Sequence, residues 1–123
     1  MTTSKILIVD DNLASRELLL AVLKRSPYDI LEARNGKEAL DIIAGAQPDL
    51  VLLDVEMPVL DGISVVRRLR RDPRFASLHV LAVTADAMQG TRDRILAEGF
   101  TGYVSKPIDA TFIRKQVKEI LGH

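Results

Sequence analysis

Three runs of four consecutive apolar residues constrain this chain most: Ile6-Leu7-Ile8-Val9, Leu50-Val51-Leu52-Leu53 and Val80-Leu81-Ala82-Val83. A strand with one wet face alternates apolar and polar side chains. A short continuous run bounded by polar residues suits a strand buried on both faces, as in a parallel sheet covered by helices. Segments 5–9, 50–53 and 80–84 are therefore expected as central strands. Segments 28–33 and 102–105 are poorer in apolar residues and fit the edges of the same sheet.

Helical periodicity fills each gap. Leu19, Val22 and Leu23 share one apolar stripe in the first. Asn35 can cap the second, where Ala39, Leu40 and Ile43 share a face and Pro48 follows the end. The third starts near Asp61-Gly62 and is expected to turn Ile63, Val66 and Leu69 inward, with Arg67, Arg68, Arg70 and Arg71 on a solvated face. The fourth should run over about 87–98 and stop at Gly99. In the fifth, Asp109 is a cap, and Phe112, Ile113, Val117, Ile120 and Leu121 form the stripe. This strict strand–helix alternation reads as a doubly wound α/β domain. A closed (β/α)₈ barrel needs far more than 123 residues, so one domain over 1–123 is expected.

Composition narrows the function. Without cysteine there is no disulfide framework, thiolate metal site or thiol nucleophile. With His79 and His123 as the only histidines, a His-rich metal site or a Ser-His-Asp triad has little to work with. The 17 basic and 17 acidic residues balance, which argues against a nucleic-acid footprint. The polar N-terminus and its short apolar run do not make a secretory signal, and no stretch approaches a membrane span. A soluble, cytoplasmic protein is expected.

Ligands of open α/β sheets bind outside the carboxyl ends of the strands. Here those ends carry Asp10-Asp11, Asp54, Thr84 and Lys106-Pro107. Each alone has a structural explanation as a helix cap, turn or stiff loop. Together they place three like charges on one edge, a cost that a cation relieves. Carboxylates with room for water suit Mg²⁺. A metal with Lys106 would neutralise a transferring phosphoryl group while Thr84 donates a hydrogen bond, the recipe of phosphoryl transfer. None of these residues is a serine, cysteine or histidine, so a carboxylate is expected as the nucleophile. Asp54, after the most apolar strand, is the best candidate.

At this point the sequence resembles a known family. Ile6 to Asn12, the segment Leu53-Asp54-Val55-Glu56-Met57-Pro58-Val59-Leu60-Asp61-Gly62, Val83-Thr84-Ala85 and Tyr103-Val104-Ser105-Lys106-Pro107 are similar to the signatures of response-regulator receiver domains, in order and at similar spacing. The resemblance covers essentially the whole chain. It implies a flavodoxin-like, five-stranded parallel sheet in the order 2-1-3-4-5 with five flanking helices. It further implies that a sensor histidine kinase or phosphotransfer protein donates a phosphoryl group to Asp54. By the same resemblance Asp11 and Asp54 ligate Mg²⁺, Asp10 acts largely through a bound water, and Glu56 offers its backbone carbonyl. Lys106 contacts the phosphoryl group, Thr84 moves towards it, and the small Ala85 leaves it accessible. Tyr103 matches a switch aromatic, and Pro107 a peptide bond that is usually cis. Glu56 and Asp86 are expected to tune the dephosphorylation rate.

The implied output face spans the fourth helix, fifth strand and fifth helix, with Ala87, Met88, Tyr103, Phe112 and Arg114 as contact candidates. Of these, Phe112 is read as a core residue. The start at Met1 favours a stand-alone regulator over a segment of a larger protein. Such a protein is a switch that gains and loses its own phosphoryl group, not a turnover enzyme. It would act on an unknown protein target, as a monomer or a phosphorylation-dependent dimer. Two other readings stay open: an aspartyl-phosphate hydrolase, whose paired acids Asp54-x-Glu56 superficially match, and a receiver that docks without phosphorylation.

Overall fold

In the computed structural model, which describes residues 4–24, 27–57, 60–86 and 88–122, five strands alternate with five helices. In chain order these are β1 (Ser4–Val9), α1 (Leu13–Leu23), β2 (Tyr28–Ala33), α2 (Gly36–Ala46), β3 (Leu50–Asp54), α3 (Gly62–Arg71), β4 (His79–Thr84), α4 (Gln89–Ala97), β5 (Gly102–Ser105) and α5 (Ala110–Leu121). A single 3₁₀ turn, Pro73–Phe75, joins α3 to β4. The sheet is parallel in the order β2-β1-β3-β4-β5, the doubly wound flavodoxin-like arrangement, with β2 and β5 at its edges.

The continuous apolar runs split by the period of two that a strand imposes. Leu7, Val9, Val51, Leu53, Val80 and Ala82 face one core with Ala39, Ile43, Val65, Val66, Leu69 and Ile95, under α2, α3 and α4. Ile6, Ile8, Leu50, Leu52, Leu81 and Val83 face the other with Leu19, Leu23, Ile113 and Val117, under α1 and α5. Every residue of β3 is buried. Among the described residues, no helix is long and apolar enough to cross a membrane.

Short polar side chains start four helices by accepting otherwise unpaired backbone N–H groups. Asn12 accepts from Ser15, Asn35 from Glu38, Asp61 from Ser64 and Asp109 from Phe112, at 2.8–3.0 Å. Gly99, at φ +108°, follows α4 as expected.

Several expectations need correction. Helix α3 buries Val65 beside Val66 and Leu69, while Ile63 is only partly covered. Arg70 does not lie on a solvated face. Its Nε and Nη2 donate to the Gly99 carbonyl at 2.9 and 2.8 Å, and its Nη1 to the Phe75 carbonyl at 2.8 Å. Helix α4 is shorter than the 87–98 expected, beginning at Gln89 and ending at Ala97, and Ala87 lies outside the described residues. Phe112 is 44% exposed and not a core residue. The buried stripe of α5 runs through Ile113 and Val117, and Phe112 sits one residue, roughly 100°, away from it.

Candidate functional site

Parallel strands deliver their C-terminal residues to one edge, and the helix caps there are polar. Asp10 follows β1, Asp54 ends β3 and Thr84 ends β4; all three are buried. Asp11 is exposed beside them. Carboxylate oxygens of Asp10, Asp11 and Asp54 all lie within 4.8 Å of one another. Lys106, just beyond β5, brings its Nζ to 3.5 Å from Asp10 Oδ2 and 3.6 Å from Asp54 Oδ2. Its backbone N–H donates to the Thr84 carbonyl at 2.8 Å, and the Lys106–Pro107 peptide is cis.

Backbone amides orient the acids. Asp10 Oδ1 accepts from the Asn12 N–H at 2.8 Å, and Asp54 Oδ1 from the Glu56 N–H at 3.1 Å. That leaves Asp10 Oδ2 buried, without a hydrogen bond among the described residues and in ion-pair range of Lys106. The electrostatics show the same crowding. Burial, then the charge of Asp10, push the Asp54 carboxyl up to about 6, against the opposing pull of Lys106 and the Glu56 N–H. Burial works against the Lys106 ammonium, yet Asp54 and Asp10 outweigh it and hold its pKa above the ordinary lysine range. An unbonded buried carboxylate oxygen facing two more carboxylates is a donor set for a hard cation, and these residues fit Mg²⁺.

The loop residues sort differently. The exposed Glu56 turns its side chain to Thr84, whose Oγ1 donates to Glu56 Oε1 at 2.8 Å. Ala85 is exposed next to it. Asp86 turns its carboxylate away from the acid cluster to the start of α4, accepting from the Met88 N–H at 3.0 Å and Thr91 Oγ1 at 2.8 Å. Those bonds hold its pKa below the usual carboxylate range. Tyr103 pairs with Ala82 in the sheet, packs partly on the α2–α4 core and lies under the Arg92 guanidinium, 5.1 Å from the ring centre. Of the expected output residues, Met88 is 73% exposed and Arg114 reaches back to α1, its Nε donating to the Val22 carbonyl at 3.1 Å.

Sequence reasoning missed Arg16. It lies buried in α1 on the stripe of Leu19 and Leu23, a spacing that could have marked it. Its Nη1 donates to the Asp10 carbonyl at 2.7 Å, and its Nε lies 3.4 Å from Glu32 Oε1. Asp10 N–H in turn donates to the Ala33 carbonyl at 3.2 Å. The backbone of Asp10 is thus held from both sides. Gly62 matters too: a Cβ there would stand 2.7 Å from the Asp54 carbonyl oxygen and 2.9 Å from Val55 Cα. The start of α3 therefore presses on the strand end that carries Asp54.

Comparison with known proteins agrees with this geometry. The sequence matches the response regulator receiver domain over residues 6–118. It is 37% identical over 117 residues to the polar-differentiation response regulator DivK of Brucella anthropi, covering 95% of each chain. A putative response regulator from Chloroflexus aurantiacus superposes with a TM-score of 0.93 at 31% identity, covering 99% of this chain and 100% of that one. The receiver domain of a Pseudomonas aeruginosa sensor histidine kinase, solved with a magnesium ion coordinated in its active site cleft, superposes with a TM-score of 0.89 at 28% identity, covering 99% and 100%. The match extends over strands, helices and the acidic edge alike, and by it the chain belongs to the response regulator receiver domains of two-component signalling.

Proposed function

We propose that this receiver is switched by phosphorylation of Asp54, and that a sensor histidine kinase or phosphotransfer protein supplies the phosphoryl group. The observation that carries this reading is the acidic edge itself: three converging carboxylates, two of them buried and one with an oxygen free of hydrogen bonds, and the Lys106 ammonium within 3.6 Å of Asp10 and Asp54. An Asp54 carboxylate oxygen forms the new P–O bond as the P–N bond to the donor imidazole breaks, and the ring nitrogen keeps the electron pair. Lys106, already aligned on both buried acids, offers its ammonium to the phosphoryl oxygens. Thr84 supplies a hydroxyl proton, and the exposed Ala85 leaves the approach open. Asp10, Asp11, Asp54 and the Glu56 backbone carbonyl would hold Mg²⁺, which when bound offsets the negative charge gathered on the transferring group.

Glu56, two residues after Asp54, and Asp86, two residues after Thr84, set the lifetime of the phosphorylated state in this reading. The signal leaves through the face of α4, β5 and α5, where Met88, Leu96 and Phe112 stand exposed. The whole chain acts as one such module. A hydrolase turning over a small phosphate ester finds less support. The chain matches the receiver family over residues 6–118, and receivers of that family are signalling switches.

The reading is tested by intact-protein mass measurement after incubation with acetyl phosphate, with Mg²⁺ or with chelator. One phosphoryl group is expected per chain, dependent on Mg²⁺ and absent from Asp54→Asn. Equal uptake by the variant would remove Asp54 as acceptor and favour a receiver that docks without phosphorylation.

A further inference from the structure

Thr84 has one proton to give, and in this structure Glu56 takes it. The hydroxyl, wholly buried at the end of β4, donates to Glu56 Oε1 at 2.8 Å, with the Asp86 carbonyl a second, longer acceptor at 3.4 Å. The Thr84 oxygen accepts from the Asp86 N–H at 3.0 Å. A threonine hydroxyl carries a single hydrogen, so while Glu56 holds it none remains for an anion on Asp54. Asp86 then accepts from the Met88 N–H and from Thr91 Oγ1. The position of Thr84 is thereby tied, through two more hydrogen bonds, to the first turn of α4. Glu56 is itself anchored to the acceptor, because its N–H donates to Asp54 Oδ1 at 3.1 Å.

We propose that the Glu56 carboxylate is a resting-state latch, competing with an anion on Asp54 for the Thr84 proton. The proposal rests on the reading of Asp54 as phosphoacceptor. A phosphoryl group there brings roughly 1.5 to 2 negative charges and three strong acceptor oxygens. It outcompetes Glu56 for the hydroxyl and repels its carboxylate. Once Thr84 turns, the Asp86 amide loses its acceptor and the start of α4 is released. Until then the latch favours the unphosphorylated arrangement by the worth of one half-exposed hydrogen bond to a charged acceptor, about a fivefold bias. Glu56 thus opposes activation in the resting state, a role distinct from setting how long a phosphoryl group survives.

Two measurements test this. The first uses resting protein and follows amide exchange at Asp86 by NMR in wild type, Glu56→Ala and Glu56→Gln. Because the Glu56 side chain is exposed, neither change threatens the core. Alanine is expected to speed exchange about fivefold, whereas glutamine, whose amide oxygen accepts the same proton, keeps the wild-type rate. Unchanged exchange in Glu56→Ala overturns the latch. The second follows phosphoryl uptake from acetyl phosphate with Mg²⁺. Glu56→Ala is expected to raise the initial rate about fivefold, and to have no effect in a Thr84→Val background. An equal rise in that background overturns the latch, since Glu56 would then act on the donor directly. No uptake by any form overturns the Asp54 reading instead, and the exchange experiment alone decides the latch.

Discussion

Burial and the neighbouring Asp10 charge hold the Asp54 carboxyl at about 6, against an ordinary 3.8. A raised carboxylate pKa means that the folded chain binds a proton more tightly than the unfolded one, so stability falls as pH rises from about 4 through 6. Above that window the ionised, crowded carboxylate works against the fold. Asp54→Asn is therefore expected to stabilise metal-free protein at pH 8 by about 2–3 kcal/mol, with the gain vanishing near pH 4. Urea titrations at the two pH values check this. Added Mg²⁺ should stabilise the wild type at pH 8 more than the variant. Arg16 is expected to matter in the opposite sense. Arg16→Met leaves the Asp10 carbonyl without its 2.7 Å donor and should cost about 2 kcal/mol in the same titration. At this scale the strand-end acids were legible because parallel strands deliver their last residues to one edge. Arg16 was not, because arginine is seldom buried and the apolar stripe around it suggested only packing. The Glu56–Thr84 bond joins residues 28 apart in sequence, and no local pattern announces it.

Helices and strands here follow local rules where those rules are strong. Asn35 and Asp109 cap as their positions suggest, and Asp61 caps the helix expected to start beside it, because a short side-chain acceptor ahead of a helix has few other places to go. Helix α4 was read too long, since its start depends on the Asp86 carboxylate two residues before Met88. Phe112 adjoins the apolar stripe of α5 in the sequence, yet Ile113 and Val117 fill the inward face and leave it exposed. Arg70 was placed in solvent by its charge, although its stem crosses to the Gly99 and Phe75 carbonyls. Two glycines separate tight contact from helix propensity. Gly62→Ala drives a Cβ against the Asp54 carbonyl and is expected to cost about 3 kcal/mol and to disturb the acid cluster. Gly45→Ala, in α2 with nothing within 4 Å, should instead add about 0.5–1 kcal/mol. Thermal denaturation of the two variants side by side distinguishes them.

The molecule as a whole places two apolar cores on either side of one sheet and gathers its buried acids, Asp10 and Asp54, at the carboxyl edge. The sheet order became legible only through resemblance. Alternation of strands and helices restricts the fold to a parallel sheet but leaves the position of the crossover open. Once β1 and β3 lie side by side at the centre, Asp10 and Asp54 must meet, and the loop after β5 brings Lys106 between them. The sheet thus supplies position, while in the proposed latch the Glu56–Thr84–Asp86 hydrogen bonds supply the part that changes. In the proposed reaction this edge forms an acyl phosphate on Asp54 alone. Reductive trapping with borohydride, after phosphorylation in Mg²⁺, converts an aspartyl phosphate to homoserine that peptide sequencing can place. Homoserine at position 54 and nowhere else is the expected result. Homoserine at position 10 or 11, or none in a chain that has gained a phosphoryl group, would rule out Asp54 as the acceptor.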